Sequence, residues 1–138
     1  MPKMTNKKSP FRQATGKKAN KRGKYAEKLA LFLMRLKGYH LIQKNFKVKQ
    51  GMGVSEVDLI LRKHKTLIFT EVKQRQHIEN LPFAVTDEMK NRITKAARLY
   101  LAQHPEYTLF DVRFDVILIR LPFSFKHIKN AWYENWYS

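Results

Sequence analysis

Two apolar runs separated by a short polar break constrain this chain more than any other feature. Residues 54–62 (Val-Ser-Glu-Val-Asp-Leu-Ile-Leu-Arg) and 67–73 (Leu-Ile-Phe-Thr-Glu-Val-Lys) flank Lys63, His64, Lys65 and Thr66. Runs of this length, rich in aliphatic residues and joined by polar ones, read as two strands of a hairpin. With residues 63–66 as the loop, Asp58 lies opposite Glu71 and Glu56 opposite Lys73. Alternation along each strand places these four on one face, which the second strand shares with Leu67 and Phe69. Opposed carboxylates on a half-buried sheet repel each other. A divalent cation removes the conflict, and hard oxygen ligands suit Mg²⁺ or Mn²⁺. Lys73 beside them could orient or deprotonate a water, or stabilise charge on a phosphate. Asp, Glu and Lys around such an ion make a phosphodiester hydrolysis site. The alternative is a set of solvated sheet charges in which Glu56 pairs with Lys73 and Asp58 with another cation. A slip of one residue in register would separate Asp58 and Glu71 onto opposite faces.

The flanking pattern supplies the rest of a mixed sheet. Residues 25–37 predict a helix that is apolar on most sides and stopped by Gly38. Glu27 falls among Ala30, Leu31 and Met34 on that helix, an unusual place for an acid. Residues 41–49 predict a strand, 50–53 a turn, and 80–84 a loop around Pro82. Thr86 reads as the N-cap of a helix running to 103, with Asp87 and Glu88 suited to its positive end. Residues 112–120 predict another strand. The order of helix, three strands, helix and strand implies an α/β fold, a central mixed β-sheet flanked by helices.

Charge then narrows the partners. The 138 residues carry 28 Lys+Arg against 11 Asp+Glu, a net of +17, which attracts polyanions. Nine of the basic residues and none of the acids lie in 1–24. Residues 1–22 are therefore expected to be a disordered basic arm, and 23–138 a single domain. The arm could track a phosphate backbone through Lys17, Lys18, Lys21, Arg22 and Lys24. The absence of cysteine removes disulfides, thiolate zinc sites and thiol nucleophiles. No apolar run approaches the ~18 residues of a membrane span. The expected setting is cytoplasmic, without a membrane partner.

These motifs resemble the PD-(D/E)xK nuclease superfamily, a restriction-endonuclease-like core. More narrowly they resemble the YraN-like family of predicted endonucleases, related to archaeal Holliday junction resolvases. The resemblance rests on Val54-Ser55-Glu56-Val57-Asp58-Leu59-Ile60 followed by Phe69-Thr70-Glu71-Val72-Lys73-Gln74-Arg75. It extends to Gly23, Glu27, Gly38-Tyr39 and Lys44-Asn45-Phe46, and to Lys90 with its Ala-rich helix. Arg113-Phe114-Asp115-Val116-Ile117 and His127-Ile128-Lys129-Asn130-Ala131 complete it, over roughly residues 22–132. It implies Asp58 and Glu71 as metal ligands and Asp58, Glu71 and Lys73 as catalytic, with Glu27 assisting and Glu56 accessory. Val54-Ser55 departs from the family's usual residues before the acid pair.

Around this core, Gln74, Arg75 and Lys90 are candidate nucleic-acid contacts. Asp115 reads as structural or paired with Arg113, and the five histidines, lacking zinc spacing, as surface residues. The aromatic tail (Phe123, Phe125, Trp132, Tyr133, Trp136, Tyr137) reads as a core cap or dimer contact. The leading expectation is a metal-dependent endonuclease acting on DNA, branched or structured by resemblance, with a homodimer fitting symmetric cleavage of two strands. The rivals are a nucleic-acid-binding protein that keeps the fold without turnover, and a basic ribosome-associated protein.

Overall fold

Five strands form one sheet in the order β1-β2-β3-β4-β5. The computed structural model describes residues 10–51, 53–76, 85–122 and 124–134, with side chains from residue 23 onward, Gln50 excepted. The elements are α1 (Pro10–Leu36), β1 (His40–Gln50), β2 (Gly53–Lys63), β3 (Thr66–Gln74), α2 (Asp87–Gln103), β4 (Asp111–Arg120) and β5 (Ser124–Trp132). A short 3₁₀ turn, Pro105–Tyr107, joins α2 to β4. Only β3 and β4 run parallel; the other neighbours are antiparallel. The parallel pair needs a crossover, and α2 supplies it. The fold is thus α/β with a mixed sheet and two helices, consistent with a restriction-endonuclease-like core.

Each helix covers one face. Ala26, Ala30, Leu31 and Met34 of α1 pack with Leu59, Leu61, Ile68, Val72, Ile117 and Ile119. Met89, Ile93, Ala96, Ala97 and Tyr100 of α2 pack with Val57, Ile60, Leu67, Phe69, Phe114 and Val116. β3 is buried at every position from Leu67 to Val72, as a central strand covered on both faces must be. The helix ends follow their chemistry. Thr86 Oγ1 accepts from Met89 N at 3.1 Å, capping α2. Gly38 takes φ 90° after α1, letting Tyr39 N reach Met34 O and Gly38 N reach Arg35 O, both at 3.0 Å.

Two elements differ from the sequence expectation. α1 starts at Pro10, fifteen residues before Tyr25, so residues 10–22 carry helical backbone where a disordered arm was expected. Arg12, Gln13, Ala14, Lys17, Lys18 and Ala19 are good helix formers, and Pro10 is tolerated in the first turn. Residues 1–9 lie outside the described residues, as do the predicted 80–84 loop, His77, Phe123, Trp136 and Tyr137. The second difference is β5, a strand the aromatic tail did not announce. Its Trp132 does cap the core, stacking on Phe114 with centroids 4.8 Å apart and donating Nε1–H to Thr94 Oγ1 at 3.1 Å.

β5 also brings in a buried polar cluster. Asp115, fully buried, accepts from Arg113 Nε and Nη2, both at 2.8 Å, and from Asn130 N at 3.0 Å. His127 Nε2 stands 2.6 Å from its Oδ2, and Lys37 Nζ stands 3.0 Å from the other ring nitrogen. Both bonds form when Nε2 carries the proton and Nδ1 accepts. The pairing of Asp115 with Arg113 is as expected. The surface expectation for His127 is not met, since its side chain is only 3% exposed. A buried carboxylate needs several donors, and His127 is one of them.

Candidate functional site

β2 and β3 begin as a regular hairpin and then separate. Their ladder runs from Lys63↔Thr66 to Leu59↔Thr70, closing on a two-residue turn at His64 and Lys65. This is the register expected from the sequence, with a tighter turn. Beyond Thr70, β3 continues to Gln74 on β4, while β2 continues to Gly53 on β1. Asp58 sits where they part. Its Oδ2 accepts from Val72 N at 2.8 Å, replacing the ladder bond that β2 no longer offers.

The alternation of β2 also breaks at this residue. Leu59 and Leu61 pack on the α1 side, but Val57 packs on the α2 side, although regular pleating would group all three. Across β1 the pairs Lys44↔Leu59 and Phe46↔Val57 flank a skipped position where Asn45 faces Asp58. Asn45 has φ 51°, the left-handed region. The expected direct pairing of Asp58 with Glu71, and of Glu56 with Lys73, is therefore corrected. Glu56 pairs with Lys47 of β1, because β2 has already left β3.

The acids still converge. Glu71 is 4% exposed and lies on the β3 face turned to α2. Lys73 Nζ and Arg92 Nη2 each stand 3.3 Å from its Oε1. Burial pushes the Glu71 carboxyl up, and the two cations oppose without cancelling it. Asp58 is pushed up to about 7, first by burial and then by the charge of Glu71, with the Val72 hydrogen bond opposing. Glu27, half-buried on α1, is raised by burial, then by Asp58 and Glu56. Asn45 and Lys44 both lie near enough to counter the rise. Glu56 is close enough to raise all three of the other acids. Four carboxylates from α1, β2 and β3 thus share one negative field in a strongly basic chain.

Among the described residues no three His, Asp or Glu side chains stand as an assembled metal cage. The donor set nevertheless fits a hard cation. Asp58 and Glu71 each engage the protein through one oxygen, and their charges are incompletely compensated. Mg²⁺ commonly binds through one or two carboxylates and completes its shell with water and phosphate.

The candidate nucleic-acid residues distribute unevenly. Lys73 and Gln74 are half-buried at the end of β3; Arg75 is exposed, its Nη1 on Gln74 O at 2.9 Å. Lys90 pairs with Asp87 in its own helical turn, at 3.8 Å. The α2 cation that reaches the acids is Arg92, which the sequence reading did not single out. Lys17, Lys18, Lys21 and Arg22 lie on the first half of α1, and Lys24 is exposed. A cavity of about 520 Å³ lies between α2, β4 and β5, lined by Leu101, Tyr107, Phe110, Val112 and Trp132. It is at the opposite end of β4 from the strand end that carries the acids. No helix among the described residues is long and apolar enough to cross a membrane.

Comparison with known proteins places this arrangement in a family. Residues 26–119 match the model of an uncharacterised protein family, UPF0102. The chain is 41% identical over 117 residues to a UPF0102 protein of Paramagnetospirillum magneticum, covering 83% of this chain and 88% of the relative. It is 40% identical over 129 residues to a UPF0102 protein of Bartonella tribocorum, covering 93% and 94%. The matched span includes Glu27, Glu56, Asp58, Glu71, Lys73 and Arg92, and the chain belongs to the UPF0102 family, the YraN-like proteins.

Proposed function

We propose that this protein is a metal-dependent endonuclease that hydrolyses phosphodiester bonds in DNA, structured or branched DNA in particular. The observation that carries the reading is the pair of carboxylates Asp58 and Glu71 where β2 and β3 part: burial first, and then the charge of Glu71, raise Asp58 to about 7. A fold selected only for stability gains nothing from that conflict; a divalent cation resolves it. Asp58 and Glu71 would hold Mg²⁺ or Mn²⁺, with Glu27 and Glu56 reinforcing the field. The bound ion would polarise a phosphate and acidify a water. Lys73, 3.3 Å from Glu71, would orient the attacking water or neutralise the phosphate. Lys17, Lys18, Lys21, Arg22, Lys24, Gln74, Arg75 and Lys90 would track the backbone through salt-sensitive contacts. A homodimer would bring two such sites to two strands.

One observation favours a second reading, nucleic-acid binding without turnover. Glu71 is already ion-paired with Lys73 and Arg92. The deciding experiment is a cleavage panel of duplex, flap and four-way-junction DNA in Mg²⁺ and Mn²⁺, with Glu71→Ala as control. Cleavage that disappears in the folded variant supports the endonuclease. No cleavage of any substrate in either metal supports the binding protein.

The acids also set a pH dependence. Protons and metal compete for Asp58, so Mn²⁺ affinity should be level above about pH 7. Below that it should fall by up to about tenfold per pH unit. Calorimetric titration across this range measures it, and a pH-independent affinity would remove Asp58 from the site.

A further inference from the structure

The geometry points to Asn45 as the residue that assembles the acidic site, by interrupting the sheet opposite Asp58 while holding Glu27 on α1. This rests on the endonuclease reading for its purpose, but not for its geometry. Three observations converge on one side chain. Asn45 takes φ 51° in the middle of β1, where extended backbone is the rule. The β1–β2 register skips the Asn45–Asp58 step while pairing the residues on both sides. The facing of β2 side chains reverses across the same step, from Leu59 on the α1 side to Val57 on the α2 side.

The consequences follow in order. A regular pair at this step would commit Asp58 to the pleat, alternating with its neighbours. The left-handed residue opposite releases it, and Asp58 turns into the gap between β2 and β3 to accept from Val72 N. The same displacement leaves the Asn45 side chain near enough to the Glu27 carboxyl to lower it. One residue on an edge strand thereby links acids from two different elements, β2 and α1. Asparagine suits the position on two counts. It tolerates the left-handed region better than other residues with a Cβ, and its amide can donate to a carboxylate. Glycine would share only the first property, and valine or isoleucine neither. Non-glycine residues held at positive φ store strain, and such residues cluster at functional sites. Asn45 is a positioning residue: it places Asp58 and Glu27 and need not touch substrate.

Two substitutions separate its roles. Asn45→Gly keeps the backbone conformation and removes the amide. Asn45→Val favours extended backbone and restores pairing opposite Asp58. Two readouts are followed in both: amide hydrogen exchange of Val72, which reports Asp58 in the gap, and Mn²⁺ binding by calorimetry. Asn45→Gly should leave Val72 protected and weaken Mn²⁺ binding by about tenfold, the usual cost of losing a partner that orients a ligand. Asn45→Val should speed Val72 exchange by about tenfold or more, as Asp58 leaves it, and weaken Mn²⁺ binding further. Wild-type exchange and wild-type Mn²⁺ affinity in both variants would overturn the proposal. If Asn45→Val does not fold, unchanged Mn²⁺ affinity in Asn45→Gly overturns it. Absence of Mn²⁺ binding by the unmodified protein would count against the endonuclease reading instead, and Val72 exchange in Asn45→Val would still decide what Asn45 does.

Discussion

Asp58→Asn should lose DNA cleavage by about three orders of magnitude or more while making the metal-free protein more stable at pH 8. The two effects have one cause. Asparagine can still accept from Val72 N, so the bond that closes the gap between β2 and β3 survives. What disappears is a charge that burial and Glu71 both oppose, raising Asp58 from the ordinary 3.8 to about 7. A carboxyl raised on folding costs nothing where it is protonated in both states, below about pH 4. The cost grows as pH rises through that interval and is complete above about pH 7. A shift of this size corresponds to roughly 4 kcal/mol at full burial, and partial exposure reduces the expected gain to about 1–2 kcal/mol. Urea denaturation at about pH 8 and about pH 4 measures it: the variant should be the more stable at the higher pH and equal at the lower. Adding Mg²⁺ should stabilise the wild type and leave the variant unmoved, because only the wild type gains a binding term. A variant that is less stable at pH 8 would mean that Asp58 is a structural anion. The unfavourable charge would then be no mark of a metal site.

Much of this geometry is legible in the amino-acid order, for reasons that can be named. The β2–β3 register is legible because a short polar turn and two apolar runs leave few pairings that bury both strands. That register predicts Asp58 near Glu71, and Glu71 does lie near enough to raise the Asp58 carboxyl. The way the two strands part there is not legible. It depends on Asn45 leaving the extended region, and nothing about an asparagine within a basic strand announces that. α1 is longer than its apolar stripe, because hydrophobic periodicity marks where a helix is buried and not where helical backbone begins. β5 escapes notice because an edge strand with Lys126, His127, Lys129 and Asn130 lacks the alternation of a half-buried one. Arg92 is invisible for a different reason. In a chain with 28 Lys+Arg, only the packing of α2 on the sheet selects which cation faces Glu71. Glu27 is the opposite case: an acid among Ala30, Leu31 and Met34 stands out, and α1 carries it to the site.

The largest loss of stability is expected from Asp115→Ala, about 3–5 kcal/mol out of the 5–15 kcal/mol typical of a folded domain. Asp115 accepts from Arg113, His127 and the Asn130 backbone, and Arg113 donates in turn to Tyr39 Oη at 2.7 Å. Removing the carboxylate leaves buried donors on β4 and β5 without an acceptor, which costs more than the bonds themselves contributed. Burial alone would raise Asp115, but the bonds from His127, Arg113 and Asn130 outweigh it and hold the carboxyl below the ordinary value. Its stabilisation is therefore present above the ordinary carboxylate range and fades as pH falls through the lowered value. Urea midpoints for wild type and variant should differ most near neutral pH and approach each other in acid. Asp115→Asn, which keeps the shape and part of the bonding, should lose about half as much. Asp115 is the β4 partner of Thr70, and the next step of that ladder carries Glu71. Loosening β5 from β4 would therefore reach the candidate site through the backbone. A destabilised but folded Asp115→Asn should weaken Mn²⁺ binding without altering its pH dependence, because Asp115 is not among the groups that set the Asp58 carboxyl.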